Sequence, residues 1–194
     1  MTTIEWLALL LGVACVMLGV VRSVWTFPTG IGSVILVGVL AARGRLYSDA
    51  ALQLFYVGAN VYGWTGWARS RAAGGTVVVE SMSAAARIGW MLGGVVLATL
   101  WGWSMSRFTS AAYPWWDAGV TVASMAAQLL MARRRWENWV VWIAVDVAAV
   151  PLYQAKGLDL VAGLYVIYLA LSVWGLRDWR RAASRARGAV TGTA

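Results

Sequence analysis

The sequence predicts an all-α integral membrane protein, with seven transmembrane helices arranged as two parallel three-helix repeats joined by one linking helix. Three observations carry that expectation. Of 194 residues, 61% are hydrophobic and only 12% are charged, about half the charged share of an ordinary soluble domain. Apolar runs of about 20 residues, enough for a helix to cross a hydrocarbon core about 30 Å thick, recur between short charged loops. The sequence also matches itself at an offset of 112 residues, as from Leu52 to Leu164.

Residues 6–21 are uncharged and lie between Glu5 and Arg22. They have neither the basic leader nor the small-residue cleavage site of a signal peptide, so they form the first span. Residues 23–42, 50–68 and 88–106 are likewise free of charge and give spans two to four. In the second half Asp117 and Asp146 fall inside otherwise apolar stretches, with spans near residues 115–133, 138–155 and 160–179. Pro151 lies within the sixth span, where its missing backbone donor is expected to kink or open the helix.

Charge placement gives an orientation. Of 16 basic residues, Arg43, Arg45, Arg107 and Lys156 fall on one side and the other 12 on the opposite side. The arginine excess marks the cytoplasm, so the N-terminus is expected outside and the C-terminus inside the inner (cytoplasmic) membrane. The same spread over several loop ends argues against a nucleic-acid surface, which would gather its cations with stacking aromatics.

At the offset of 112, Leu46, Ala50, Leu52, Tyr56, Gly63, Trp67 and Arg69 fall on Leu158, Ala162, Leu164, Tyr168, Gly175, Trp179 and Arg181. Residues 1–69 form the first repeat, 70–108 the linker and linking helix, and 109–194 the second repeat with a basic tail. Three spans plus one restore the starting side, so the repeats run parallel. That is a known transporter plan, with substrate held near mid-membrane between the units.

Composition removes much chemistry. His is absent and Cys15 is the sole cysteine, so His-ligated metals, Ser-His and Cys-His catalysis and disulfide frameworks lack their parts. No glycine-rich phosphate loop is present, so ATP hydrolysis is not expected. A retinal protein needs a lysine at mid-depth of its last helix, and the only lysine, Lys156, lies in a loop. The expectation is a protein that is not an enzyme and uses no cofactor or metal.

Polar side chains at membrane depth are costly without a partner, water or a ligand, so they mark the candidate site. Gln53, Tyr56, Asn60, Trp64 and Trp67 form one stripe on the third span, and Tyr165, Tyr168, Ser172, Gly175 and Trp179 repeat its spacing on the seventh. The fifth span contributes Asp117, Ser124 and Gln128; the sixth contributes Asn138, Trp139, Trp142, Asp146 and Tyr153. Aromatic rings beside amides and one carboxylate suit a planar heterocycle: rings stack on its faces, amides read its edge, and a carboxylate neutralises a cationic ring. Other roles stand beside these. Trp64 and Trp67 also fit an interfacial belt, Gln53 and Gln128 fit interhelical bonding, and Asp146 fits a structural pairing.

The stretches DAALQLFYVGANVYGWTGW (residues 49–67) and YPWWDAGVTVASMAAQLLMARRRWENWVVWIAVDVAAVPLYQAKGLDL (residues 113–160) resemble the PnuC family of bacterial vitamin transporters. The resemblance implies a 3+1+3 fold similar to the SWEET sugar transporters, a homotrimer, and facilitated diffusion of nicotinamide riboside, or of thiamine or riboflavin in subfamilies. It also implies trapping by a cytoplasmic phosphorylating kinase. Trp64, Trp67, Asn138, Trp139 and Trp142 match motifs tied to the substrate path, and Gln53 and Gln128 match family amides. Many members have a G-N pair where this chain has Ser33-Val34, and Val34 is the repeat counterpart of Asp146. A non-transporting membrane subunit is the competing expectation, although it gives no reason for two matching polar stripes.

Overall fold

The structure, a computed structural model, describes residues 2–45 and 47–191. Seven helices follow one another: α1 (Thr3–Val20), α2 (Thr26–Arg43), α3 (Tyr47–Gly74), α4 (Ala84–Phe108), α5 (Pro114–Ala132), α6 (Asn138–Ala155) and α7 (Asp159–Thr191). Leu46 of the self-match and residues 192–194 of the tail lie outside the described residues. α1, α2, α4 and the Asp159–Arg185 part of α7 are each long and apolar enough to cross a membrane. α3, α5 and α6 carry more of the polar positions. α3 and α7 outrun their apolar segments because arginines and alanines continue both helices beyond them, and α6 continues through Pro151.

Local chemistry sets the ends. Thr2 and Glu5 close a capping box on α1, with Thr2 N donating to Glu5 Oε2 at 2.7 Å. α1 stops where Arg22 turns left-handed (φ 57°), and Ser23 N donates back to Leu18 O at 2.9 Å. α5 stops in the same way: Arg134 has φ 59°, and Arg135 N donates to Leu130 O at 2.9 Å. This is a Schellman closure, in which the left-handed residue turns the chain so that the last carbonyls find donors. α2 and α6 end on Arg45 (φ 59°) and Gly157 (φ 71°). Both pairs of left-handed residues are 112 apart. α2 and α6, Thr26–Arg43 and Asn138–Ala155, share their limits under the same shift.

In each half the middle helix stands between the other two: α1 packs on α2 and α2 on α3, while α5 packs on α6 and α6 on α7. The halves meet along two seams, α3 with α5 and α1 with α7, and among the described residues α4 packs on α5 and on no other helix. α4 fits there because Gly102 leaves room for the Trp115 ring, which comes within 2.6 Å of where a Cβ would stand.

The arginine-rich end of the bundle is closed by aromatic packing. Phe27 meets Trp67 edge-on at 5.0 Å, Trp67 meets Trp179 at 5.5 Å, and Trp139 meets Trp179 at 5.7 Å. Gly63 and Gly175 make the space: a Cβ would lie 2.3 Å from Phe27 and 2.5 Å from Trp139, respectively. Each α3 or α7 tryptophan also reaches the other half. Trp67 Nε1 donates to Met131 O at 3.1 Å, and Trp179 Nε1 to Gly19 O at 3.2 Å and Val20 O at 3.1 Å. Arg22 pairs with Asp178 across one seam, and Arg134 Nη1 donates to Gly66 O at 3.2 Å across the other.

A strap, residues 75–83, leads from α3 to α4 over the second half. Val77 and Val79 are buried in one apolar cluster with Trp139, Trp179 and Ala183. Glu80 forms a bridge with Arg135, and its carboxylate accepts from Arg134 at 3.0 Å and Arg135 at 2.8 Å. Beyond it, Glu137 Oε1 accepts from Met82 N and from Arg87, both at 2.8 Å.

Candidate functional site

The polar stripes converge between the halves, though not all their members take part. From α3, Asn60 is buried; its Nδ2 donates to Tyr56 O at 2.8 Å, and its Oδ1 accepts from Gln128 Nε2 on α5 at 3.2 Å. Tyr56 stands one turn before Asn60 on α3, and Ser124 one turn before Gln128 on α5. Asn60 and Gln128 thus join the two facing stripes across the α3–α5 seam.

Across the site, Asp146 on α6 is 1% exposed and accepts from Ser172 Oγ on α7 at 2.8 Å. No basic side chain pairs with Asp146 among the described residues. Toward the other end of the bundle Tyr153 stacks on Tyr165 at 5.2 Å, with 20° between planes, and Tyr165 meets Tyr168 edge-on at 5.8 Å. The Tyr168 hydroxyl lies over Gly12 of α1, 2.7 Å from where a Cβ would stand, and Ser33 Oγ lies 3.3 Å from that point. Gly12 therefore opens a path from α7 to α2. Ser33, Cys15 and Thr26 add a polar patch on α1 and α2: Ser33 Oγ donates to Ala8 O, and Thr26 Oγ1 to Cys15 O, both at 2.8 Å. Ser33 occupies the position next to Val34, where the PnuC resemblance lacked its polar pair. Only that departure pointed to it.

Several expected site residues are placed elsewhere. Trp67 and Trp139 are fully enclosed in the aromatic closure, where they pack against Trp179. Asn138 is also fully enclosed, and its Nδ2 donates to Arg135 O at 2.6 Å, which fixes the start of α6. Trp64 points outward and is 41% exposed. Gln53 donates to Asp49 O of its own helix at 3.4 Å and lies against Gly38 of α2. Trp142 is partly buried against the aromatic closure. Asp117 pairs with Lys156 away from the centre. The residues brought into contact are Asn60 with Gln128, Asp146 with Ser172, and Tyr165 with Tyr153 and Tyr168. Groups of His, Cys, Asp and Glu suited to a metal ion are absent among the described residues.

A bundle of apolar helices with polar side chains buried between its halves defines a multi-pass membrane protein. Its family can be stated. The chain belongs to the nicotinamide mononucleotide transporter family, whose model matches residues 2–181. It is 35% identical over 179 residues to the riboflavin/roseoflavin transporter RibM of Streptomyces davaonensis, covering 88% of this chain and 81% of that one. It is 30% identical over 201 residues to the nicotinamide riboside transporter PnuC of Neisseria mucosa (95% and 75% covered). With PnuC of Escherichia coli K12 it shares 25% over 210 residues (95% and 87%). The fold is similar to a solved structure described as the vitamin B3 transporter PnuC, with a TM-score of 0.78, 24% identity, and 94% and 82% of the two chains covered. The expected likeness to the PnuC family holds, and these relatives are transporters rather than enzymes.

Proposed function

We propose that the protein is a facilitated-diffusion carrier that takes up nicotinamide riboside by alternating access. Its two three-helix units form a SWEET-like 3+1+3 parallel repeat and rock about the central site. The N-terminus lies outside and the C-terminus in the cytoplasm, the assembly is a homotrimer, and a cytoplasmic kinase traps the product. Residues 1–69 and 109–194 are the moving units, with 70–108 as connector. Asp146 carries the substrate assignment. A buried carboxylate whose described partner is a neutral serine favours a cationic ring such as the pyridinium of nicotinamide riboside. Asn60 and Gln128 offer the hydrogen-bonding groups a ribose requires, and Tyr56, Tyr165 and Tyr168 offer ring faces. One observation favours a second reading, riboflavin: the 35% identity to a riboflavin transporter.

Counter-flow of labelled nicotinamide riboside, thiamine and riboflavin into liposomes holding the purified protein separates these readings. Nicotinamide riboside is expected to exchange fastest, and Asp146→Asn to slow it at least about ten-fold, the loss of one charge-assisted contact in a dry site. Riboflavin exchange that survives Asp146→Asn overturns the substrate assignment. Absence of exchange for all three overturns the carrier.

A further inference from the structure

Beside α3 at the arginine-rich end lies a groove of about 410 Å³, lined by Val24, Trp25, Pro28, Trp64, Ala68 and Arg71. Its floor is apolar and open: Trp25 is 66% exposed and Trp64 41%. Trp64, Ala68 and Arg71 follow one another along one face of α3. The two tryptophans sit where the apolar span ends and Arg71 stands a turn or two beyond, at headgroup level. Arg71 has no ion-pair partner among the described residues.

The second half shows what the matching place looks like when covered. The counterparts of Trp25, Trp64 and Arg71, 112 residues on, are Glu137, Leu176 and Ala183. There the strap lies over the surface: Val77, Val79 and Ala183 share one buried cluster, and Glu137 Oε1 accepts from Met82 N and Arg87. In that half the charges of surface and cover are paired: Arg134 and Arg135 with Glu80 of the strap, and Glu137 with Arg87 at the start of α4. The first half leaves its cation without a carboxylate among the described residues. Its surface provides Arg71, and the strap is already occupied elsewhere, so a cover must bring an anion and an apolar body. On a membrane-facing groove, an anionic phospholipid has both.

We propose that this groove is a binding site for an anionic phospholipid, with the phosphate on Arg71 and the upper acyl chain across Trp25, Trp64 and Pro28. The groove on the other flank of α3, of about 630 Å³, also holds Arg69 and Arg134. It is a poorer candidate because Glu80 already neutralises Arg134.

The test is native mass spectrometry of the delipidated full-length protein, titrated with phosphatidylglycerol and with phosphatidylcholine of the same chains. Wild type should retain phosphatidylglycerol at least about five-fold better, the worth of one basic residue at an anionic surface. Arg71→Gln should abolish that preference, Trp25→Ala should weaken both lipids, and Arg185→Gln, basic but outside the groove, should change neither. Undiminished preference in Arg71→Gln, or an equal loss in Arg185→Gln, overturns the site. Competition by soluble glycerol phosphate at millimolar concentration assigns Arg71 to a free phosphate instead. Dissociation of the oligomer by Arg71→Gln assigns the groove to a second copy. None of these readouts depends on transport.

Discussion

Asn60 and Ser172 stand at matched positions on α3 and α7, yet their side chains engage different halves. Asn60 reaches across a seam to Gln128 of the second half, whereas Ser172 stays within its own half and holds Asp146. The reason lies in their surroundings: the counterpart of Gln128 is Val16 and that of Asp146 is Val34, so each residue finds its partner in a different place. At the arginine-rich end the halves instead repeat each other closely. Phe27 sits on Gly63 as Trp139 sits on Gly175, and Trp67 and Trp179 donate to carbonyls at matched helix ends. Packing is repeated while the buried polar groups differ. Two equal faces would read an asymmetric ligand no better at one end than at the other, so divergence at the centre is what would give a bound molecule one orientation.

The largest effect should come from breaking the repeated packing. Gly63→Ala and Gly175→Ala each place a Cβ inside a ring that neighbouring rings hold fixed. Overpacking of that kind costs about 1–3 kcal/mol or more. Both variants should lose monomer-equivalent peak area after heating and size-exclusion chromatography, at temperatures well below wild type. Gly58→Ala, with nothing within 4 Å of its Cβ, should not. A large loss in only one of the pair would show that the halves are not packed alike.

The helices themselves were legible because bilayer thickness forces long apolar runs, and the offset of 112 was legible because glycine and tryptophan rarely coincide by composition. Which stripe members face a ligand was not legible. Asn60 and Trp67 lie two turns apart on one helix face, and the same spacing serves a seam hydrogen bond at one and ring packing at the other. Only the partner helix decides, and the sequence does not place it. The strap was missed for a related reason. Val77 and Val79 lie in a segment too short for a span, and their burial depends on the distant Trp179 and Ala183.

A smaller effect tests the centre. A double-mutant cycle of Asn60→Ala and Gln128→Ala should give a coupling of about 0.6–1.7 kcal/mol, the range for interhelical hydrogen bonds within membranes. Each single variant should raise the KM for exchange several-fold. A cycle with no coupling would mean that the two amides act on the ligand independently and that the seam bond is incidental.

The smallest effect concerns the one place where the seams differ in charge. Arg22 pairs with Asp178 on α7, while Arg134 meets only the Gly66 carbonyl on α3 and takes its carboxylate from Glu80 of the strap. The Arg22–Asp178 pair is partly exposed, with side chains 28% and 40% accessible, so solvent screens it and its worth stays below about 1 kcal/mol. Asp178→Asn should therefore lower the thermal midpoint slightly at low salt, and the difference should vanish near 1 M salt, where the screening length falls to about 3 Å. Gly66→Asp offers a carboxylate to the other seam and has room to do so, since the nearest atom to its Cβ is Ala132 O at 3.9 Å. It should bring no gain, because Arg134 is already neutralised. A stabilising Gly66→Asp would mean that Glu80 holds Arg134 weakly, and that the strap contributes less to closing the second half than its buried valines indicate.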